Sequence, residues 1–298
     1  MALYAFDGTG NEDQDRDERD SNVVDFFNAY VDPKKNADPD KKEGSLYLKG
    51  IGTRARTIFG RNPAEAFGIG GHRRVRQAME RLENNLDSGD NTVDVVGFSR
   101  GAALAMSFAN EITSKLPGVE IRFVGVFDVV AQFGLPGRHI NAGHVVSLPA
   151  SVTCCRHAMA MDESRALFPL TRLCAKDGAH DERLVELWFR GVHSDIGGGN
   201  GNRCLNWIAL NWMLQNALRA GLPISPEAIV KNLEDRGLPQ QIDHHKLDLE
   251  VERRFLAKDC LHSSVMLGPG TGGRRHNDPT IVLARIDDEG RTVTEQIV

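Results

Sequence analysis

The sequence predicts an α/β protein in which helices cover both faces of a mostly parallel sheet. Short apolar runs alternate with segments of helical character along the chain, as in successive βαβ units. Polar, glycine-rich sequences follow several of the apolar runs, and ligands of such sheets bind at the carboxyl ends of the strands. The 298 residues fit one domain, 1–298, of ordinary size.

The first elements follow directly from the amino terminus. The apolar run 3–6 predicts a strand, because it opens into the turn-forming Asp-Gly-Thr-Gly-Asn. Residues 12–20 are crowded with carboxylates and predict a loop. A short helix is expected over 23–31, and a second strand over the apolar run 46–51.

The next elements surround the most informative motif of the chain. Residues 54–71 are glycine-rich and predict a loop, and 73–86 has the pattern of an amphipathic helix that ends before Ser-Gly. The β-branched run 92–98 predicts a strand, and the alanine-rich segment 102–116 predicts the helix after it.

The remaining elements are spaced more widely. Residues 121–127 and 184–189 predict buried strands, 205–220 predicts a long helix with an apolar stripe, and 280–286 predicts a late strand. The stretches 135–182 and 221–275 have a weaker rhythm, and we interpret them as insertions that form a cap over the site.

A serine stands between two glycines where the strand 92–98 meets the helix 102–116. Gly97, Ser99 and Gly101 form G-x-S-x-G, and this strand–turn–helix order is typical of the nucleophile elbow of α/β-hydrolases. The glycines leave room for a strained turn, which presents the hydroxyl at a helix N-terminus, where amide N–H groups stabilise an oxyanion. Ser99 is the predicted nucleophile; the alternative is a tight turn with an idle serine.

A serine nucleophile needs a general base and a carboxylate that orients the base. His193 directly follows the strand 184–189 and precedes a glycine run, so it is the predicted base, with His262 as the alternative. Asp128 ends the strand after the elbow helix and is the predicted acid. Asp195 is the rival acid; it lies two residues from His193, and its second interpretation is a bond to the backbone of its own glycine turn.

The predicted oxyanion hole combines the N–H of Arg100 with that of Gly8 or Thr9. The sequence Asp7-Gly8-Thr9 also occurs in aspartyl-phosphate phosphatases, but Ala5 stands where their nucleophilic aspartate would be, which excludes that class.

We expect neither a metal nor an organic cofactor. A spaced acid set at 13, 15 and 17 hints at Ca²⁺ but lacks the glycine of an EF-hand, so a solvated acidic loop is expected there. Three phenylalanines are candidates for an apolar lining of the site or for ordinary core: Phe59, Phe67 and Phe133.

Composition excludes several classes of protein. The net charge of −5 provides no basic field for nucleic acid, and no apolar run approaches the roughly 20 residues of a membrane span. Five cysteines without a C-x-x-C pair predict reduced thiols. With no cleavable signal sequence, we expect synthesis in a cytoplasm, which leaves export by a machine that needs no such signal possible.

The chain also resembles a known family, the α/β-hydrolase domain family that includes the first, phospholipase-like family of type VI secretion lipase effectors. Five segments carry the resemblance in chain order: 6–11, 97–102, 123–128, 156–163 and 188–199. The resemblance implies a triad of Ser99, Asp128 and His193, phospholipase A activity, and secretion-apparatus and immunity proteins as partners. Within 156–163 we assign no catalytic role; His157 and Asp162 are interpreted as a brace between cap and sheet.

The predicted function is therefore hydrolysis of carboxylic esters by a serine nucleophile through an acyl-enzyme, with a phospholipid as the favoured substrate. Two alternatives stay open. One is an esterase or thioesterase for small soluble acyl substrates, and the other is a hydrolase fold without catalysis that binds a partner.

Overall fold

The computed structural model describes residues 1–9, 20–34, 43–51, 63–131, 145–174, 181–234, 251–267, 277, 279 and 283–293, with only the backbone at 63–69, 232 and 233. They form one sheet of eight strands: β1 (Ala2–Phe6), β2 (Leu46–Leu48), β3 (Val93–Phe98), β4 (Ile121–Phe127), β5 (Cys155–Ala160), β6 (Leu184–Phe189), β7 (Cys260–His262) and β8 (Ala284–Ile286). The spatial order is β2-β1-β3-β4-β5-β6-β7-β8, and every neighbouring pair is parallel. All carboxyl ends therefore share one edge.

Helices cover both faces of the sheet. They are α1 (Asn22–Ala29), α2 (Pro63–Asp87), α3 (Ser99–Lys115), α4 (His193–Gly197), α5 (Arg203–Arg219) and α6 (Pro226–Glu234). Alternation along β1 shows the two layers: Tyr4 and Phe6 pack with residues of α2 and α3, whereas Leu3 and Ala5 pack with residues of α1 and α5. The predicted fold class is confirmed. In the described part of the chain, no helix combines the length and the apolar character that crossing a membrane requires.

One predicted loop is partly wrong. The glycine-rich segment 54–71 was expected to lack regular structure, but α2 begins at Pro63. Proline is favoured in the first turn of a helix, where its missing N–H has no partner to lose, and packing offsets the low helix propensity of glycine. Gly70 lies next to the side chain of Ile51.

The two predicted cap segments contain strands of the sheet. Cys155–Ala160, inside 135–182, is β5, and Cys260–His262, inside 221–275, is β7. In these two places the cap interpretation is wrong. Arg156 and His157 interrupt the apolar pattern of β5, and β7 is only three residues long, so neither produced a recognisable period. For the rest of the two segments the cap remains a prediction.

Candidate active site

Ser99 lies in the sharp turn between β3 and α3 and is 3% exposed. Its φ is +58°, a left-handed conformation that side-chain-bearing residues rarely adopt and that concentrates at functional sites. The flanking glycines make the turn possible. A Cβ on Gly97 would lie 2.7 Å from the Cα of Ala102, and one on Gly101 would lie 2.7 Å from the carbonyl carbon of Asp7.

Asp128 lies beside this turn because β3 and β4 are neighbours. Phe98 and Phe127 are register partners at the ends of these strands, so the residues that follow them emerge side by side. Asp128 is fully buried and also has a positive φ, +43°. The Val130 N–H donates to the Ser99 carbonyl at 3.2 Å, which ties the two turns together.

His193 joins the serine to the aspartate. It is the first residue of α4, which follows β6, two strands beyond β4. Its Nε2 lies 2.8 Å from Ser99 Oγ, and its Nδ1 lies 2.6 Å from Asp128 Oδ2. Since an ionised carboxylate only accepts hydrogen bonds, Nδ1 carries the proton and Nε2 accepts from the serine hydroxyl. The ring packs between Phe98 and Phe168, with centroids 4.7 and 4.8 Å away.

The structure separates the two rival residues from this chain of hydrogen bonds. Asp195 accepts the Val192 N–H at 2.9 Å and the side-chain amides of Asn200 and Asn202 at 2.8 and 2.9 Å. It therefore binds its own glycine-rich turn, the second of its two interpretations, and Asp128, not Asp195, lies at His193 Nδ1. His262 is also not placed at Ser99; its ring nitrogens contact the side chains of Ser264 and Asp288.

Helix α4 is held in place by α1 and β3. The Asn22 side chain donates to the carbonyls of Ile196 and Asn206 at 2.8 and 2.9 Å. Gly197 lies directly on the Phe98 ring, leaving no space for a Cβ. These contacts fix the first residue of α4, and with it the His193 ring, over the elbow.

Burial and nearby charges shift the pKa values of Asp128 and His193 in opposite directions. Burial alone would raise the pKa of Asp128, but the charge of Arg253 and the hydrogen bonds from His193 and Arg253 hold that pKa well below its usual range. Burial lowers the pKa of His193, although Asp128 and Glu163 favour its charged form. The aspartate is therefore ionised and the histidine neutral at pH 7, which is the state a general base requires.

Three residues near the site were not identified from the sequence as its partners. Arg253 makes a fork to both Asp128 oxygens, at 2.6 and 2.8 Å. Glu163 accepts the His193 N–H at 3.1 Å and pairs with Arg165, and Phe168 packs on the His193 ring. Glu163 ends the segment 156–163, which carries the family resemblance, so the sequence held a signal for it. Arg253 stands in a charged stretch, and nothing in such a stretch shows whether a side chain is buried or solvated.

The predicted oxyanion donors lie at the carboxyl ends of β1 and β3. Arg100 is the second residue of α3, so its N–H belongs to the first turn, which has no acceptor in its own helix. The Gly8 N–H donates to Asp7 Oδ1 at 2.7 Å, and the Tyr47 hydroxyl donates to Asp7 Oδ2 at 2.6 Å. Gly8 therefore serves an oxyanion only if its amide leaves or shares that bond. The Thr9 side-chain oxygen is buried and has no hydrogen-bond partner among the described residues. The assignment of these donors stays a prediction.

His157, in β5, and Asp162, two residues beyond its end, brace the site. His157 Nε2 accepts the Val129 N–H at 3.2 Å, and its Nδ1 lies 2.9 Å from Glu186 Oε1. Asp162 accepts the Gly191 N–H at 2.7 Å and pairs with Arg190. In these contacts they connect strand ends and the loop before His193, rather than a cap.

Several sequence predictions fall outside the described residues. These are the acid set at 13, 15 and 17, and the side chains of Phe59, Phe67 and Phe133. Where the structure describes side chains, no group of three His, Cys, Asp or Glu residues converges as a metal site would require. All five cysteines are described, and none of them forms a disulfide.

Comparisons with known proteins identify a family for this chain. The model of the family "T6SS, Phospholipase effector Tle1-like, catalytic domain" matches residues 3–115 and 109–216, well over half of the chain. No curated protein matches the chain.

Solved structures are also similar to the chain, among them the following two. One is the crystal structure of an uncharacterized protein from Pseudomonas aeruginosa, 22% identical, with a TM-score of 0.54 over 80% of this chain and 48% of that one; this likeness concerns the fold alone. The other is the Tle1 effector bound to the VgrG spike of the type 6 secretion system, 25% identical, with a TM-score of 0.45 over 66% of this chain and 50% of that one. The chain spans about half the length of either. On the family match, the chain belongs to the Tle1-like phospholipase effectors of the type VI secretion system, in their catalytic domain.

Proposed function

We propose that the protein hydrolyses carboxylic esters, with Ser99 as nucleophile, His193 as general base and Asp128 as the acid that orients it. The observation that carries the proposal is the continuous hydrogen-bonded chain from Asp128 through His193 to Ser99, at 2.6 and 2.8 Å. It is supported by the left-handed φ of Ser99, a strain expected where a nucleophile is presented at a helix start.

Each step of the reaction follows from these positions. Ser99 Oγ attacks the acyl carbonyl while its proton passes to His193 Nε2, and amide N–H groups near Arg100 and Gly8 or Thr9 stabilise the oxyanion. Asp128 stabilises the imidazolium. The tetrahedral intermediate then expels the alcohol, which takes the Nε2 proton and leaves an acyl-Ser99 ester. Water then attacks this ester while His193 takes its proton; the acid is released, and the proton returns from His193 to Ser99 Oγ.

The favoured substrate is a phospholipid acyl ester, cleaved as by a phospholipase A. Membership of a phospholipase effector family supports this choice, and the alternative is a small soluble ester or thioester. Delivery by a type VI secretion apparatus, after synthesis in a cytoplasm, and inhibition by an immunity protein are proposed on the same basis.

Two experiments test the proposal. A fluorophosphonate probe should label the wild type and not Ser99→Ala, with both proteins showing the same circular dichroism. Ser107→Ala, at a buried serine in the middle of α3, is the matched control and should label normally. A folded wild type that is not labelled would instead favour a hydrolase fold used for binding.

The second experiment identifies the substrate class. The wild type should release fatty acid from phospholipid liposomes, and Ser99→Ala should not. Turnover of short soluble esters with no release from liposomes would contradict the phospholipid and favour the small-ester esterase.

A further inference from the structure

We propose that Arg253 is a positioning residue of this site, whose guanidinium locks the Asp128 carboxylate against His193 and offsets its charge. The inference rests on the proposed function and extends it to a segment beyond the family match, which ends at residue 216.

The guanidinium of Arg253 is buried and makes four hydrogen bonds with described residues. Nη1 donates to Asp128 Oδ1 at 2.6 Å and Nη2 donates to Oδ2 at 2.8 Å, a bidentate fork that fixes the plane of the carboxylate. Nη1 also donates to the Ala160 carbonyl at 2.5 Å, and Nη2 to the Phe168 carbonyl at 3.1 Å. The Arg253 side chain is 6% exposed and that of Asp128 is 0% exposed, so the pair is desolvated.

The fork leaves Asp128 one orientation toward His193. Oδ1 also accepts the Ala160 N–H at 2.9 Å, while Oδ2 faces His193 Nδ1. A carboxylate held by Arg253 and Ala160 cannot rotate away from the imidazole without breaking charged hydrogen bonds. Arg253 thus acts through Asp128, and none of the hydrogen bonds that its side chain makes with described residues goes to Ser99.

Arg253 also links the loop that carries Phe168 to the sheet. Its bond to the Phe168 carbonyl holds the residue whose ring packs on His193, and the Val251 N–H donates to the Ser164 carbonyl at 2.7 Å. The segment that carries Arg253 is therefore joined to the loop after β5 at two places.

The charge of Arg253 changes the electrostatic environment of the His193 imidazole. The charged groups that the described residues place around His193 are Asp128, Glu163 with its partner Arg165, and Arg253. With Arg253 present, Asp128 contributes little net charge. Without it, an uncompensated buried carboxylate would face the imidazole, and the Asp128–His193 pair would take up a proton at a higher pH.

The test compares Arg253→Gln, Arg253→Lys and the wild type, with Arg254→Gln as control because Arg254 is the adjacent, exposed arginine. The first readout is the pH profile of kcat/KM on a soluble ester. Arg253→Gln should move the acid limb upward by about 1 pH unit and lower kcat by about 100-fold through misplacement of the carboxylate. Arg253→Lys keeps the charge without the fork, so kcat should fall while the acid limb stays within about 0.3 pH unit of the wild type.

The second readout needs no turnover. The His193 ring protons, followed by NMR in a Ser99→Ala background, should titrate about 1 pH unit higher in Arg253→Gln than with Arg253 intact. A wild type that neither labels nor hydrolyses would overturn the proposed function, whereas this titration still decides the role of Arg253.

Two results would overturn the proposal. One is a folded Arg253→Gln protein with wild-type kcat and an unshifted His193 titration. The other is a loss of folding in both Arg253 variants, since the arginine would then be a structural residue alone. Arg254→Gln should match the wild type in every readout.

Discussion

Gly101 lies where the first turn of α3 meets the end of β1, and the substitution Gly101→Ala tests the packing that shapes the elbow. A Cβ at this position would fall within 3.0 Å of the carbonyl oxygens of Phe6 and Asp7, and these are backbone atoms that no rotamer change can move. To restore ordinary contact, the start of α3 must separate from β1 by about 1 Å.

Two effects follow from that displacement. Overpacking of this kind destabilises a protein by about 1–3 kcal/mol, which outweighs the roughly 1 kcal/mol that alanine would otherwise contribute in a helix. Because Ser99 is two residues away on the same turn, a shift of about 1 Å should lower kcat about 100-fold.

Urea unfolding and ester turnover measure the two effects separately. Gly70→Ala is the matched control, because Gly70 is also helical. The atoms nearest to a Cβ added there belong to the side chain of Ile51, at 3.1 Å, and not to the backbone. We expect that variant to be as stable as the wild type or more so, with unchanged turnover. A Gly101→Ala protein that gains stability and keeps its turnover would refute the packing argument for the elbow.

The buried polar groups lead to four further predictions. Asp128→Asn should lower kcat about 10⁴-fold, whereas Asp195→Asn should stay within about 10-fold of the wild type; equal losses would return Asp195 to candidacy as the acid. Burial lowers the pKa of His193 below the ordinary 6.5, and the base form is the neutral one, so the acid limb of kcat/KM should lie below pH 6.5; a limb above that value would contradict this. The same lowered pKa should make the free energy of unfolding fall as the pH drops below about 6.5, because the unfolded chain then binds more protons. His157→Leu removes the acceptor of the Val129 N–H and a partner of Glu186, so it should destabilise the fold by about 1–3 kcal/mol in urea unfolding; an unchanged midpoint would count against the brace.

Much of the site could be predicted from the sequence because its parts are either local or placed by a general rule. The elbow is contiguous: a strand, a serine between two glycines and a helix follow one another, so period and turn chemistry suffice to find it. Asp128 and His193 are distant in sequence, but each follows a strand directly, and the carboxyl ends of parallel strands meet at one edge.

The limits of prediction have equally specific causes. β5 was missed because arginine and histidine interrupt its apolar run, and β7 because three residues are too few to establish a period. The choice between Asp128 and Asp195 depends on which carboxylate faces His193 Nδ1, and the tertiary structure places Asp128 there, at 2.6 Å. Asp195 has three donors in its own turn, and sequence distance does not reveal them.

Local periodicity and turn residues are enough to predict the α/β class, the elbow and the strand ends that carry the proposed acid and base. Which side chains satisfy the buried charges depends on how the folded chain brings distant segments together. Arg253 reaches Asp128 across 125 residues of chain, and its charged surroundings in the sequence would look the same on a solvated surface. Which residues form a buried ion pair depends on where distant segments of the chain meet in the core, and local sequence patterns do not show this.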